Sequence, residues 1–104
     1  MPEVPAPSQI LAEGIATVSP LRWEVIMNVV RQSAGEVIRV PDRAIPSALS
    51  RLGRMGLFVE PTSATVLLAL DQLRERRAVM EGITVMMLTG SGLKATAEIE
   101  KWLS

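Results

Sequence analysis

A chain of 104 residues with eleven basic and eleven acidic groups has no net charge, which argues against the broad basic surface that a grip on nucleic acid requires. Cys and His are both absent, so disulfides, thiolate and imidazole metal ligands and every nucleophile–histidine pair are excluded together. Hydrophobic residues make up 48% and the mean hydropathy is +0.29, so either the core is large for so small a body or apolar surface is kept for a partner.

The opening Met1-Pro2-Glu3-Val4-Pro5-Ala6-Pro7 lacks the basic-then-apolar pattern of a secretory signal. The longest unbroken apolar runs, Val66 to Leu70 and Val85 to Leu88, fall far short of the ~20 residues that span a bilayer. A cytoplasmic protein without membrane contact is the expectation. Residues 1–20 read as an N-terminal strap and irregular lead-in, and residues 21–104 as a partial α/β domain.

In chain order, the first helix is expected from Leu21 to Ser33. Trp23, Ile26, Met27 and Val30 recur at helical spacing as one apolar stripe, and Gly35 stands where a left-handed stop residue would stand. Glu36-Val37-Ile38-Arg39-Val40, β-branched and ended by Pro41, reads as a strand. Asp42 is a good N-cap for a second helix to about Met55, with Ile45, Ala48, Leu49 and Leu52 as its stripe. Pro46 lies one position past the free first-turn donors of such a helix and carries a cost. Gly53 and Gly56 weaken and then end the helix, and Leu57-Phe58-Val59 is a brief apolar connection.

Pro61 suits the first position of a third helix, to about Arg77. Ala64, Leu67, Leu68, Leu70 and Leu73 cover most of its circumference, the pattern of a buried helix. Arg74, Arg76 and Arg77 at its end read either as a solvated helix terminus or as a phosphate or nucleic-acid contact. Gly82 releases the chain into Ile83-Thr84-Val85-Met86-Met87-Leu88, a continuous apolar strand of the type buried on both faces of a parallel sheet. A short last helix carries Ile99, Trp102 and Leu103 on one face.

The expected order is therefore α-β-α-α-β-α. Helical crossovers between strands imply an α/β fold: a fragment of a three-layer α/β/α domain with a short parallel sheet flanked by helices. A parallel pair alone does not make a stable sheet, so the chain reads as a piece of a larger domain.

Two segments carry candidate chemistry. Thr89-Gly90-Ser91-Gly92-Leu93-Lys94 follows a strand end, where α/β folds collect ligands, and its glycines allow close backbone approach. The same residues also make an ordinary turn. Glu60-Pro61-Thr62-Ser63 sets a carboxylate and two hydroxyls at a buried helix start, where they also serve the helix dipole and its free amides. Ala12-Glu13-Gly14-Ile15-Ala16 is a small-residue stretch with little meaning by itself.

Taken in order and spacing, Ile10 to Ala16, Gly56 to Ala64 and Leu88 to Lys94 resemble the C-terminal part of the tryptophan-synthase-β-like enzymes that depend on pyridoxal 5'-phosphate. Among these, threonine-synthase-like enzymes are closest in look, through the Thr-Gly-Ser-Gly-Leu-Lys ending. The resemblance covers about residues 9–104. It implies that Thr89 lends its hydroxyl to the pyridine nitrogen of the cofactor, leaving the ring near neutral and a gentle electron sink. It implies that Glu60 lies close to the cofactor ring and that Gly14 lines the same cleft. It further implies a lyase that converts O-phosphohomoserine to threonine, with a small amino acid as substrate.

The Schiff-base lysine and the asparagine-containing phosphate loop of that family are not in this sequence, whose lysines are Lys94 and Lys101. Ala95 stands where the family usually has Asp. The implied partner is a missing N-terminal portion or a second polypeptide. The alternative expectation is a non-catalytic remnant or interaction subunit that associates with itself or with a partner chain.

Overall fold

The computed structural model describes residues 11–12, 15, 17, 19–76 and 81–103. Among them lie four α-helices: α1, Trp23–Gln32; α2, Ile45–Arg54; α3, Pro61–Glu75; and α4, Thr96–Leu103. Short 3-10 turns at Asp42–Ala44 and Gly92–Lys94 precede α2 and α4. No described helix is long and apolar enough to cross a membrane.

The core lies where α2, α3 and α4 meet. The α2 stripe is buried throughout, at Ile45, Ala48, Leu49 and Leu52. From α3 come Ala64, Leu67 and Leu68, from α4 Ile99, and Ala12 and Val59 complete the cluster. On the far side of α3, Leu70 and Leu73 stay half-buried, so this helix is covered on one face and not all round. Arg51 of α2 grips Asp71 of α3 with both guanidinium arms, at 2.5 and 3.1 Å. That contact holds the Asp71 carboxyl below its usual range, chiefly by hydrogen bonding.

Helix ends follow from local chemistry. α2 begins at Ile45, so Pro46 sits in the first turn, where its missing N–H is no loss. The expected cost at Pro46 therefore does not arise. Asp42 does not cap the helix with its side chain, and its carboxylate instead accepts the Leu11 amide at 2.9 Å. Gly56, at φ +81°, ends α2, with the Leu57 amide bonded back to the Leu52 carbonyl at 2.9 Å. After α1 the left-handed position falls on Ala34, at φ 53°, rather than on Gly35. Gly35 is the residue after it, and its amide closes the same kind of loop on the Val30 carbonyl at 2.9 Å.

The expected α/β fragment with a parallel sheet is contradicted: the described residues are helical and connecting segments, with no β-strand. A strand exists only by pairing its N–H and C=O groups with a neighbour, and the two apolar segments are not placed to pair. Residues 36–40 are tied to α3 by side chains, through Glu36 to Arg76 at 3.0 Å and Gln72 Nε2 to the Arg39 carbonyl at 2.5 Å. Residues 83–88 make no described backbone hydrogen bond to another segment. Met86 and Leu88 pack on the core, whereas Ile83, Val85 and Met87 face outward, 95%, 78% and 69% exposed. Among the described residues, strand-like pairing occurs instead at one antiparallel bridge, between Val59 of the expected connection and Ser91 of the loop that follows residues 83–88.

α1 differs from the other helices. Its stripe reads as core-facing, yet none of its residues is buried. Trp23, Val25, Ile26 and Val29 are all exposed.

Candidate functional site

The bridge at Val59 and Ser91 builds the site. The Glu60 amide donates to the Gly90 carbonyl at 3.1 Å and the Gly92 amide to the Phe58 carbonyl at 3.0 Å. This short crossing lays the start of α3 against the loop that leads toward α4. It brings Glu60 and Thr89, far apart in sequence, to one place.

Ser63 is the hub. It is the one buried polar side chain among the described residues. Its position in the first turn of α3 puts it on the same side of the helix as the core residue Leu67, so its hydroxyl needs an internal partner. The Gly90 amide supplies one, donating to Ser63 Oγ at 2.8 Å. The same oxygen lies 3.3 Å from Thr89 Oγ1 and 3.4 Å from the Gly90 carbonyl. A hydroxyl has one proton to give and two lone pairs to receive with. Ser63 can therefore donate to the Gly90 carbonyl while accepting from the Gly90 amide and from Thr89, or donate to Thr89 itself. In the second case the Thr89 proton is left for an acceptor outside the chain, where Thr89 is exposed.

The glycines of the loop have a packing reason. A Cβ on Gly90 would strike the carboxylate of Glu60, and one on Gly92 would come within 2.7 Å of the Phe58 ring. The close approach expected of a ligand is thus made by the chain's own Glu60 and Phe58. Glu60 precedes the first residue of α3 and makes no side-chain cap there. Thr62 and Ser63 do not serve the free amides of α3 either. Ser63 turns to the loop, and the Thr62 carbonyl accepts from Thr65 Oγ1 at 2.6 Å.

Of the three residues expected to meet a cofactor, Thr89 and Glu60 are brought together and Gly14 lies outside the described residues. By sequence pattern Ser63 is only a helix-start residue. The available signal was its spacing from Ala64, Leu67 and Leu68, a hydroxyl within an otherwise apolar face. An open cleft of about 290 Å³ lies elsewhere, between residues 36–40 and α3, lined mainly by Ile38, Val40, Val66 and Ala69. It includes none of Glu60, Ser63 or Thr89. At the end of α3, Arg76 is engaged by Glu36 and Arg74 is exposed, while Arg77 lies outside the described residues. No group of three or more acidic, Cys or His side chains among the described residues could hold a metal ion.

Comparison with known proteins gives this geometry a class. The model of the pyridoxal-phosphate dependent enzyme family matches residues 2–90, a span that includes Glu60, Ser63 and Thr89. The chain belongs to that family. No curated protein matches the sequence.

Pyridoxal phosphate offers three points of attachment: aldehyde, phosphate and ring nitrogen. The hydroxyl pair of Ser63 and Thr89 fits the third, because an exposed Thr89 with its oxygen held from behind can donate to a nitrogen acceptor. For the phosphate, the loop amide of Gly90 is already taken by Ser63 and that of Gly92 by Phe58. The chain thus matches one contact of the group and not the complete cradle.

Proposed function

We propose that the chain is a non-catalytic interaction subunit of the pyridoxal-phosphate dependent enzyme family, which associates with itself or with a partner chain. The observation that carries this reading is the uncovered apolar surface: a helix, α1, with no buried residue, and the outward row Ile83, Val85 and Met87. Single exposed apolar residues are ordinary, but contiguous sets mark surfaces meant for contact. Recovery of the chain from its native source tests it. The expected result is a complex with itself or with one other polypeptide. Mixed alone with pyridoxal phosphate, the chain is expected to show no imine absorbance. A borohydride-reducible adduct at one lysine, with turnover by the isolated chain, would overturn the reading.

A second reading is favoured by the Ser63–Thr89 pair. In it the chain supplies Thr89 as the ring-nitrogen contact of a threonine-synthase-like lyase acting on O-phosphohomoserine. The lysine and the phosphate cradle come from a portion outside these 104 residues. The cofactor, when bound, provides the electron sink for γ-elimination of phosphate and β-addition of water. Ser63 orients the Thr89 hydroxyl, and Glu60, lying over Gly90, fixes the loop that presents it. Thr89→Val in such an assembly is expected to shift the visible absorbance of the bound cofactor while leaving assembly intact. An unchanged spectrum would remove Thr89 from that role.

A further inference from the structure

Residues 36–40 lie on the outer face of α3, the side away from Ala64, Leu67 and Leu68, and few bonds hold them there. The Glu36 carboxylate accepts from both arms of Arg76, at 3.0 and 3.4 Å, and Gln72 Nε2 donates to the Arg39 carbonyl at 2.5 Å. Val40 packs at the margin of the core. The rest of the joint is not filled: the cleft of about 290 Å³ lies between Ile38 and Val40 on one side and Val66 and Ala69 on the other. Protein interiors leave few voids larger than a water molecule, and atoms that face a gap lose their dispersion contacts. Polar ties therefore hold this segment on α3 more than packing does.

α1, which precedes this segment, is attached more loosely still. None of its residues is buried. Among the described residues, every hydrogen bond of residues 20–35 is made within that span, and neither ion pair includes one of them. The base is firm by contrast. The Leu11 amide is bonded to the Asp42 carboxylate at 2.9 Å, Ala12 is buried beside the one, and Ile45 is buried just beyond the other. The chain thus leaves the core and returns to it at one fastened point, which is the geometry of a hinge. Segments with few buried apolar contacts and exposed bonds open at lower free energy than a packed core.

We propose that α1 and residues 36–40 form a lid over the outer face of α3, hinged at the Leu11–Asp42 contact and latched by Arg76 and Gln72. Closed, the lid withholds Val66 and Ala69 from solvent; released, it uncovers them. Opening takes only Val40 from the margin of the core, so the packed faces of α2, α3 and α4 stay together. Salt loosens the latch, because Arg76 and Glu36 are 50% and 53% exposed and ion pairs so open to water are screened. The lid works within one chain and does not depend on the interaction-subunit reading above.

Distances between spin labels on the full chain test this, and the absence of cysteine lets each pair be placed cleanly. Labels on Gln32→Cys in α1 and Ser47→Cys in α2, both exposed, read the lid against the core. Labels on Ser47→Cys and Glu75→Cys read the core alone. With the native latch, the lid pair is expected to give one narrow distance and a minor, broad, longer component. Glu36→Gln is expected to enlarge that component about twofold, and Glu36→Gln with Gln72→Ala about fivefold or more. Added salt enlarges it in the native latch and not in Glu36→Gln. Exchanging the charges, Glu36→Arg with Arg76→Glu, returns it to the native size. The core pair keeps one narrow distance throughout. A lid pair indifferent to both latch variants overturns the proposal, as does a charge exchange that fails to restore the native distribution. A core pair that broadens together with the lid pair also overturns it, because the chain is then unfolding as a whole.

Discussion

Ser63 and Thr89 lie 26 positions apart in sequence and bring their hydroxyl oxygens within 3.3 Å of each other. The two residues differ in what they hold up. Ser63 is buried and also receives the Gly90 amide, whereas Thr89 is exposed. Ser63→Ala strands that amide and is expected to cost about 1–3 kcal/mol. Thr89→Val leaves water free to replace the lost hydroxyl and should stay within about 0.5 kcal/mol of wild type. Urea unfolding of both variants checks the asymmetry, and equal losses would contradict it.

Leu52 is fully buried between α2 and its neighbours. Leu52→Ala is expected to cost about 2–5 kcal/mol, through lost transfer energy and the cavity left behind. Ile26→Ala, on the open face of α1, should cost the dilute monomer well under 1 kcal/mol. Denaturation at a protein concentration low enough to exclude association makes the comparison.

The Arg51–Asp71 pair contributes a pH dependence of known sign. The Asp71 carboxyl is held below its usual range by Arg51, first through hydrogen bonding and then through charge, with Arg74 adding attraction. A carboxyl whose folded pKa is depressed stabilises the fold fully above its unfolded value, about 3.9. That contribution is lost as pH falls through the lower folded value. Arg51 and Asp71 are 41% and 30% exposed, so the pair is expected to contribute no more than about 1 kcal/mol. The stability gap between wild type and Asp71→Asn should be constant from pH 7 to about 5 and close below about 4. A gap that widens in acid would refute the assignment.

Two backbone positions should respond with opposite signs. Gly56 occupies the left-handed region with open space around it, so Gly56→Ala carries the strain of about 1–2 kcal/mol with no packing gain. Ala34 already bears that strain, and Ala34→Gly relieves it against an added unfolded-state entropy of about 0.4–1 kcal/mol. The midpoint of urea unfolding should fall for Gly56→Ala and should not fall for Ala34→Gly.

What could be read from the sequence was what is local. The α2 stripe, the Gly56 stop and the start of α3 at Pro61 each depend on neighbours within one or two turns, and each appears where its pattern puts it. The sheet is not legible because Ile83 to Leu88 looks the same whether or not a neighbouring strand is present to pair with it. The α1 stripe has the same ambiguity: its spacing marks a face for burial without saying which chain provides the cover. The segments of Glu60 and Thr89 stand out by their chemistry, a carboxylate at a helix start and a hydroxyl beside two glycines, while a cofactor role for them is only what the family resemblance implies. Their meeting depends on the crossing at Val59 and Ser91, a long-range pairing that no local pattern announces. Gly35 shows the limit of boundary reading, since the left-handed turn falls one residue earlier, on a residue whose Cβ disfavours it.

That the run from Ile83 to Leu88 pairs with no other segment among the described residues has a consequence for the lifetime of the protein. Proteases grip substrates as extended chain with free amides and carbonyls, and this stretch, with no described backbone bond to another segment, has only to free Met86 and Leu88 from the core to offer that form. Its amides should also be among the first to take up deuterium. Degradation would then compete directly with occlusion of the run, and how much of the polypeptide accumulates would be decided by whichever happens first.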